Sequence, residues 1–198
     1  MEDFNQALFL YLNADLTTPH WIITIASVIA DYVILFVPLM LVMLWCRGDT
    51  PARNLALKST AVTLTALGMN QLIIAYWPHP RPFMISLGHS FIPHTADASF
   101  PSDHGTVFAA IALTFLLSSV WSLTGWIVAV AGTLVAWSRI FLGVHFPLDM
   151  LGAVVVSGLA WIGIKLIWSR VGDPLTQWCE QIYRAVLAPL ISRGWIHS

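Results

Sequence analysis

The sequence predicts an all-α integral membrane protein, a bundle of about five transmembrane helices with interfacial helices at the N- and C-termini. Composition is the first reason. Hydrophobic residues make up 58% of the 198 residues and charged residues only 10%, where a soluble domain carries about 25% charged residues. Mean hydropathy is +0.76. The second reason is that the apolar residues fall into runs of spanning length, without the alternation that marks a membrane β-barrel. The chain, 1–198, reads as one membrane-embedded domain.

The elements follow in order. Met1-Glu2-Asp3 lacks the basic start of a cleaved signal peptide. Residues 4–12 set Phe4, Ala7, Leu8, Leu10, Tyr11 and Leu12 among polar neighbours, which suits a short interfacial helix. A span needs about 20 mostly apolar residues, and five stretches supply them: 28–46, 58–77, 104–121, 124–138 and 148–168. Trp121-Ser122-Leu123-Thr124-Gly125 joins the third and fourth as a tight helical hairpin. Residues 174–191 repeat Leu175, Trp178, Ile182, Val186 and Leu190 at helical spacing, with Gln177, Glu180, Gln181 and Arg184 largely on the other side. That pattern fits a helix on the membrane surface or a tail helix packed on the bundle. Trp21, Trp77, Trp121, Trp137 and Trp168 lie near helix ends as interface anchors. Asn70 reads as an interhelical hydrogen bond, and Asp31 as a carboxylate near the outer end of the first span.

Charge sets an orientation. Of nine Lys and Arg, Arg47, Arg53 and Lys58 precede or open the second span, and Lys165, Arg170, Arg184 and Arg193 lie at or beyond the end of the fifth. Five crossings put both groups on one side, which the positive-inside rule makes cytoplasmic. Arg81 and Arg139 then fall on the outer side. The net charge of −1 argues against nucleic-acid binding. Cys46 and Cys179 fit neither a zinc nor a redox spacing and read as unpaired. Nothing in the sequence sets the oligomeric state.

Three polar clusters interrupt the apolar chain at its outer side. Pro101-Ser102-Asp103-His104-Gly105 opens the third span, with Ser102 as N-cap and Asp103 in the first turn. A helix start of this kind favours a bound anion, and His104 sits beside it. The structural alternative is an ordinary capped helix with a surface histidine. Ser138-Arg139 ends the fourth span, and His145 and Asp149 flank Pro147 at the start of the fifth. A carboxylate on one imidazole nitrogen leaves the other free to attack; a capping contact without chemistry is the alternative. Trp77-Pro78-His79-Pro80-Arg81-Pro82 is rigid and extended and offers Arg81 as a forked donor to phosphate oxygens. The loop 83–100, with His89, Ser90, His94, Thr95, Asp97 and Ser99, reads as a solvated connection, with a lid or headgroup contact as the alternative.

The order Arg81-Pro82, Pro101-Ser102-Asp103-His104, then Ser138-Arg139, His145 and Asp149 resembles the type 2 phosphatidic acid phosphatase superfamily, which includes vanadium haloperoxidases. The resemblance spans roughly residues 70–150 and extends through the helix layout to 168. Chain size and the Pro-Ser-Asp-His variant look like the bacterial undecaprenyl-diphosphate phosphatases of that superfamily. The resemblance implies His145 as a nucleophile that forms a phosphohistidine, with Asp149 orienting it and His104 protonating the leaving oxygen. It implies Arg81, Arg139 and Ser102 as phosphate-binding residues, and no metal or other cofactor. The implied substrate is undecaprenyl diphosphate, cleaved at the outer face of the bacterial inner membrane, with membrane lipids as surroundings. That reaction recycles the carrier lipid for cell-wall synthesis and bears on bacitracin resistance.

Two positions depart from the family pattern. A lysine usual seven positions before the arginine is Ile74 here, for which nearby His79 is a candidate substitute. Asp103 stands where many members have glycine. The same mechanism on phosphatidylglycerol phosphate or phosphatidic acid is the alternative enzyme. A small transporter or haem-binding bundle is the non-enzyme alternative, weakened because all seven histidines lie outside helix interiors or at helix ends.

Overall fold

The computed structural model describes residues 1–193 and 195–196. Among these the secondary structure is helical throughout: α1 (Glu2–Leu12), α2 (His20–Tyr32), α3 (Phe36–Arg47), α4 (Thr50–Tyr76), α5 (Asp103–Leu116), α6 (Ser122–Phe141) and α7 (Pro147–Ser192). Two 3-10 turns, Val33–Leu35 and Pro82–Ile85, complete the order.

The helix α5 is the axis of the bundle, packed on α4, α6 and α7. Its Phe108, Ile111, Ala112 and Phe115 share a core with Val37, Val128 and Val135. Close approach of α6 depends on Gly132, where a Cβ would stand 2.6 Å from the Cβ of Phe108. Polar cross-links tie the helices where water is absent. Asn70 makes the expected interhelical bonds from α4, donating to Asp103 Oδ1 at 2.8 Å and Thr106 Oγ1 at 2.9 Å. Ser157 of α7 donates to the Thr106 carbonyl at 3.1 Å.

Three helical segments are long and apolar enough to cross a membrane: His20–Arg47, Ser122–Phe141 and Pro147–Ser192. The protein is a multi-pass membrane protein in which α4 and α5 accompany these spans. The helix α4 has the length, at 27 residues, but is more polar. At 14 residues α5 is short, and its neighbours spare it contact with the full bilayer thickness. The first span begins eight residues before the expected 28, because the polar residues there satisfy themselves on their own helix. Thr24 and Ser27 donate to the carbonyls of His20 and Ile23 at 2.9 and 2.8 Å. Asp31 is exposed.

The ends differ from each other. The expected N-terminal helix is present as α1, docked at the end of the bundle that holds the polar clusters. Asn5 Oδ1 accepts from the Leu148 N–H at 3.1 Å, and Phe9 meets Phe146 edge-on at 5.3 Å between centroids. Phe4, Leu10 and Tyr11 stay exposed, as suits an interface. Of the two C-terminal expectations, the helix packed on the bundle agrees with the contacts and the one lying on the membrane surface is corrected. From residue 174 the chain continues α7 rather than starting a separate interfacial helix, and α7 kinks at Leu187 before it ends at Ser192. Arg170, Gly172, Asp173 and Pro174 read as a break, yet the helix runs through Pro174 because contacts to α3 and α4 hold both sides of it. Asn54 donates to Asp173 Oδ1 and Thr176 Oγ1 at 3.0 and 3.1 Å and accepts from Trp168 Nε1 at 2.9 Å.

The centre of that clamp is Arg53, 1% exposed, on Glu180 Oε1 at 3.3 Å. Trp45 and Tyr183 lie against the guanidinium, and Thr50 donates to the same carboxylate at 2.9 Å. Removing one partner of a buried pair strands the other charge. Glu180→Ala is therefore expected to cost about 3 kcal/mol and to expose residues 174–192 to protease, both readable by thermal unfolding and limited proteolysis in detergent. Unchanged stability and protection would contradict the clamp.

Candidate active site

Opposite this clamp, the bundle ends in a cavity of about 240 Å³. Arg81, Asp103, His104, Arg139 and His145 line it, so five of the eight residues expected from sequence meet at one space. Asp149 stands behind His145 on its Nδ1 side, and Ser102 stands on its Nε2 side.

His145 is 2% exposed on the turn between α6 and α7. Pro147 starts α7, and Asp149 in the first turn reaches back to accept from the Phe146 N–H at 2.7 Å. That closure brings Asp149 Oδ2 to 3.1 Å from His145 Nδ1. The Ser99 hydroxyl donates to the same oxygen in a short hydrogen bond and lies 3.3 Å from Nδ1. A carboxylate accepts, so Nδ1 carries the proton and Nε2 is a lone pair. Burial pushes the imidazole pKa down to about 4, with Asp149 opposing the shift. Nε2 is thus unprotonated and faces Arg81 Nη1 at 3.0 Å and Ser102 Oγ at 3.5 Å.

The arginines come from two directions. Arg81, 5% exposed, is delivered by the proline-rich segment after α4 and is held by three oxygen acceptors. Its Nε donates to Asp97 Oδ1 at 2.8 Å, Nη1 to the Val144 carbonyl at 2.9 Å and Nη2 to the Ala98 carbonyl at 3.2 Å. Arg139, 3% exposed on the last turn of α6, is not saturated. It reaches His94 Nε2 at 3.0 Å and the Ala30 carbonyl at 3.5 Å, while its buried Nε finds no partner among the described residues. A buried guanidinium with a spare donor is prepared for an anion.

The start of α5 forms a third wall. Ser102 caps the helix by accepting from the Gly105 N–H at 3.3 Å. His104 lines the cavity and has no hydrogen bond among the described residues, which leaves its ring free for an incoming group. Asp103 also borders the space, its Oδ1 engaged by Asn70. His79 is placed elsewhere, edge-on to Phe146 at 5.6 Å and 3.5 Å from Glu2 Oε2. It does not stand in for the lysine that Ile74 replaces, although Ile74 itself borders the cavity.

The loop 83–100 is exposed along most of its length, as the solvated reading has it, but it is also anchored in the way the lid alternative requires. It is strapped across the bundle end by Phe91 N–H to the Leu142 carbonyl at 3.0 Å and Ser99 N–H to the His79 carbonyl at 2.7 Å. Asn13 bridges it to α6, donating to the carbonyls of His89 and Phe141. Phe91 and Ile92 pack on Ala26, Ala30 and Leu142. This strap inserts Ser99, Asp97 and His94 into the site. Sequence reasoning held these three only within the lid or headgroup alternative for the loop, and it missed Gln71 of α4. The only signal was the density of polar side chains in the loop. Among the described residues, no three His, Cys, Asp or Glu side chains gather as a metal-binding group.

The model of the PAP2 superfamily matches residues 55–173. The chain belongs to this superfamily. YbjG of Escherichia coli (strain K12) is 39% identical over the full length of both chains. Undecaprenyl-diphosphatase BcrC of Bacillus subtilis (strain 168) is 35% identical over 83% of this chain and 84% of its own. The crystal structure of Aquifex aeolicus LpxE shares the fold at a TM-score of 0.64 and 21% identity, covering 81% of this chain and 94% of that one. Membership, together with relatives named undecaprenyl-diphosphatase over most of their length, makes the protein a lipid phosphatase.

Two outcomes are expected. Heteronuclear NMR of the imidazole nitrogens should find the His145 ring neutral and protonated at Nδ1 until the pH falls to about 4, and Asp149→Asn should lower that midpoint further because the carboxylate holds it up. Ser99→Ala leaves Asp149 short of one donor and is expected to lower kcat about tenfold with little change in KM.

Proposed function

We propose that the protein hydrolyses undecaprenyl diphosphate to undecaprenyl phosphate and inorganic phosphate through a phosphohistidine. The observation that carries this reading is the His145 Nε2 lone pair, backed by Asp149 and aimed at a cavity edged by Arg81 and Arg139. The identity to BcrC supports the polyprenyl substrate. In the first step Nε2 bonds to the terminal phosphorus, the bond to the bridging oxygen breaks, and His104 gives that oxygen a proton. In the second, water attacks the phosphohistidine, His104 takes the proton, and phosphate leaves. Arg81, Arg139 and the Ser102 hydroxyl hold the phosphoryl oxygens as charge shifts among them.

The lipid tail has a matching place. An apolar groove of about 360 Å³ runs between α5, α6 and α7. It begins at Gly105 and Met150, the chain neighbours of His104 and Asp149, and small residues Ala109, Ala112, Ala129 and Ala136 line it. Thr133, Leu151 and Val154 on its rim are exposed. A polyprenyl chain lying there leaves its headgroup in the polar cavity. Lys58 and Lys165 share Trp161 towards the Arg53 clamp, away from the site, and the positive-inside rule supports placing the site at the outer face of a bacterial inner membrane.

Phosphate release from undecaprenyl diphosphate in detergent with EDTA tests the reading. Release is expected from the wild type and none from His145→Ala, which also loses acid-labile phosphate incorporation. Release from phosphatidylglycerol phosphate or phosphatidic acid alone would keep the mechanism and overturn the substrate. Ala136→Leu, which fills the groove, is expected to raise KM for the long-chain diphosphate about fivefold with kcat unchanged.

A further inference from the structure

Resting on that reading, we propose that His94 is the specificity-determining residue for the diphosphate: in the substrate complex its imidazolium Nε2–H donates to the phosphate that departs with the lipid. His94 belongs to none of the motif clusters and arrives at the site on the loop strap.

The geometry is explicit. His94 lines the same cavity as His145 and Ile74. Its ring stands edge-on to that of His145, with 6.3 Å between centroids, so the two imidazoles border the same end of the cavity. His94 Nδ1 is 3.1 Å from the Thr95 carbonyl, which only accepts, so Nδ1 carries the proton. Nε2 is then a lone pair taking a hydrogen bond from Arg139 Nη2 at 3.0 Å. Thus, without substrate, a neutral histidine occupies the donor of the one under-bonded phosphate arginine.

The charges around His94 explain the change on binding. Arg81, Arg139 and His104 face it with positive or potentially positive groups, and Asp97 Oδ1 lies 3.9 Å from its Nδ1. Burial and the two arginines hold its proton affinity below the ordinary histidine value. A diphosphate brings more negative charge than the two guanidiniums offset. It displaces Nε2 from Arg139, and a proton from solvent converts Nε2 to a donor. The bound diphosphate then meets three cations, although Ile74 stands where the family has a lysine. A single phosphate group is already matched by Arg81 and Arg139 and has less use for the third.

The test compares wild type, His94→Ala and His94→Lys in detergent. Each is measured for kcat/KM on undecaprenyl diphosphate and for inhibition by orthophosphate and by methylenediphosphonate. For His94→Ala, kcat/KM is expected to fall about tenfold and methylenediphosphonate inhibition to weaken in proportion, with orthophosphate inhibition kept within about twofold. His94→Lys should retain most of both diphosphate properties. An equal weakening of orthophosphate and diphosphonate would make His94 only a support for Arg139 and overturn the proposal, as would no change in either. A wild type that cleaves only monophosphate lipids would instead sink the substrate reading, and the proposal with it.

Discussion

Arginine buried at the end of an apolar bundle is the constraint on which this structure depends. A guanidinium withdrawn from water needs acceptors or an anion around it. Arg81 and Arg139 are 5% and 3% exposed. To satisfy Arg81 the chain brings together a loop carboxylate at Asp97, a loop carbonyl at Ala98 and the Val144 carbonyl beside His145. The loop, the proline-rich segment and the α6–α7 turn are therefore held in register by one side chain. His145 occupies its position partly because Val144, its neighbour, is tied to Arg81.

The two ends of the bundle use the same chemistry for opposite purposes. At one end Arg53 meets Glu180 and lies against Trp45 and Tyr183. That pairing closes a structural joint and lets α7 continue past Pro174. At the other end Arg139 is as deeply buried but keeps an unused Nε. The difference lies in saturation, not in residue type. The paired arginine holds helices together, whereas the one with a free Nε stands beside the lone pair of an imidazole.

Much of this was legible in the sequence. Composition announces the membrane, run length announces helices, and the three motif clusters name His145, His104, Asp149, Arg81, Arg139 and Ser102 before any coordinates. What was not legible has physical causes. Pro174 reads as a stop because local propensity favours one, and only the contacts of Asn54, Trp168 and Glu180 keep the helix going. His79 looks close to the missing lysine in sequence, but Phe146 and Glu2 hold it away from the cavity.

By itself, the sequence determined the helical membrane class and, through its motif resemblance, the candidate site residues, because apolar run length and motif order are read along the chain. Only the tertiary structure decided that Ser99, Asp97 and His94 join the site. Their loop has no periodicity and no capping signal. Its path is set by long-range anchors: Phe91 on Leu142, Asn13 across His89 and Phe141, and Asp97 on Arg81. Those partners are distant in sequence, and the contacts exist only once the helices have brought them to one end of the bundle.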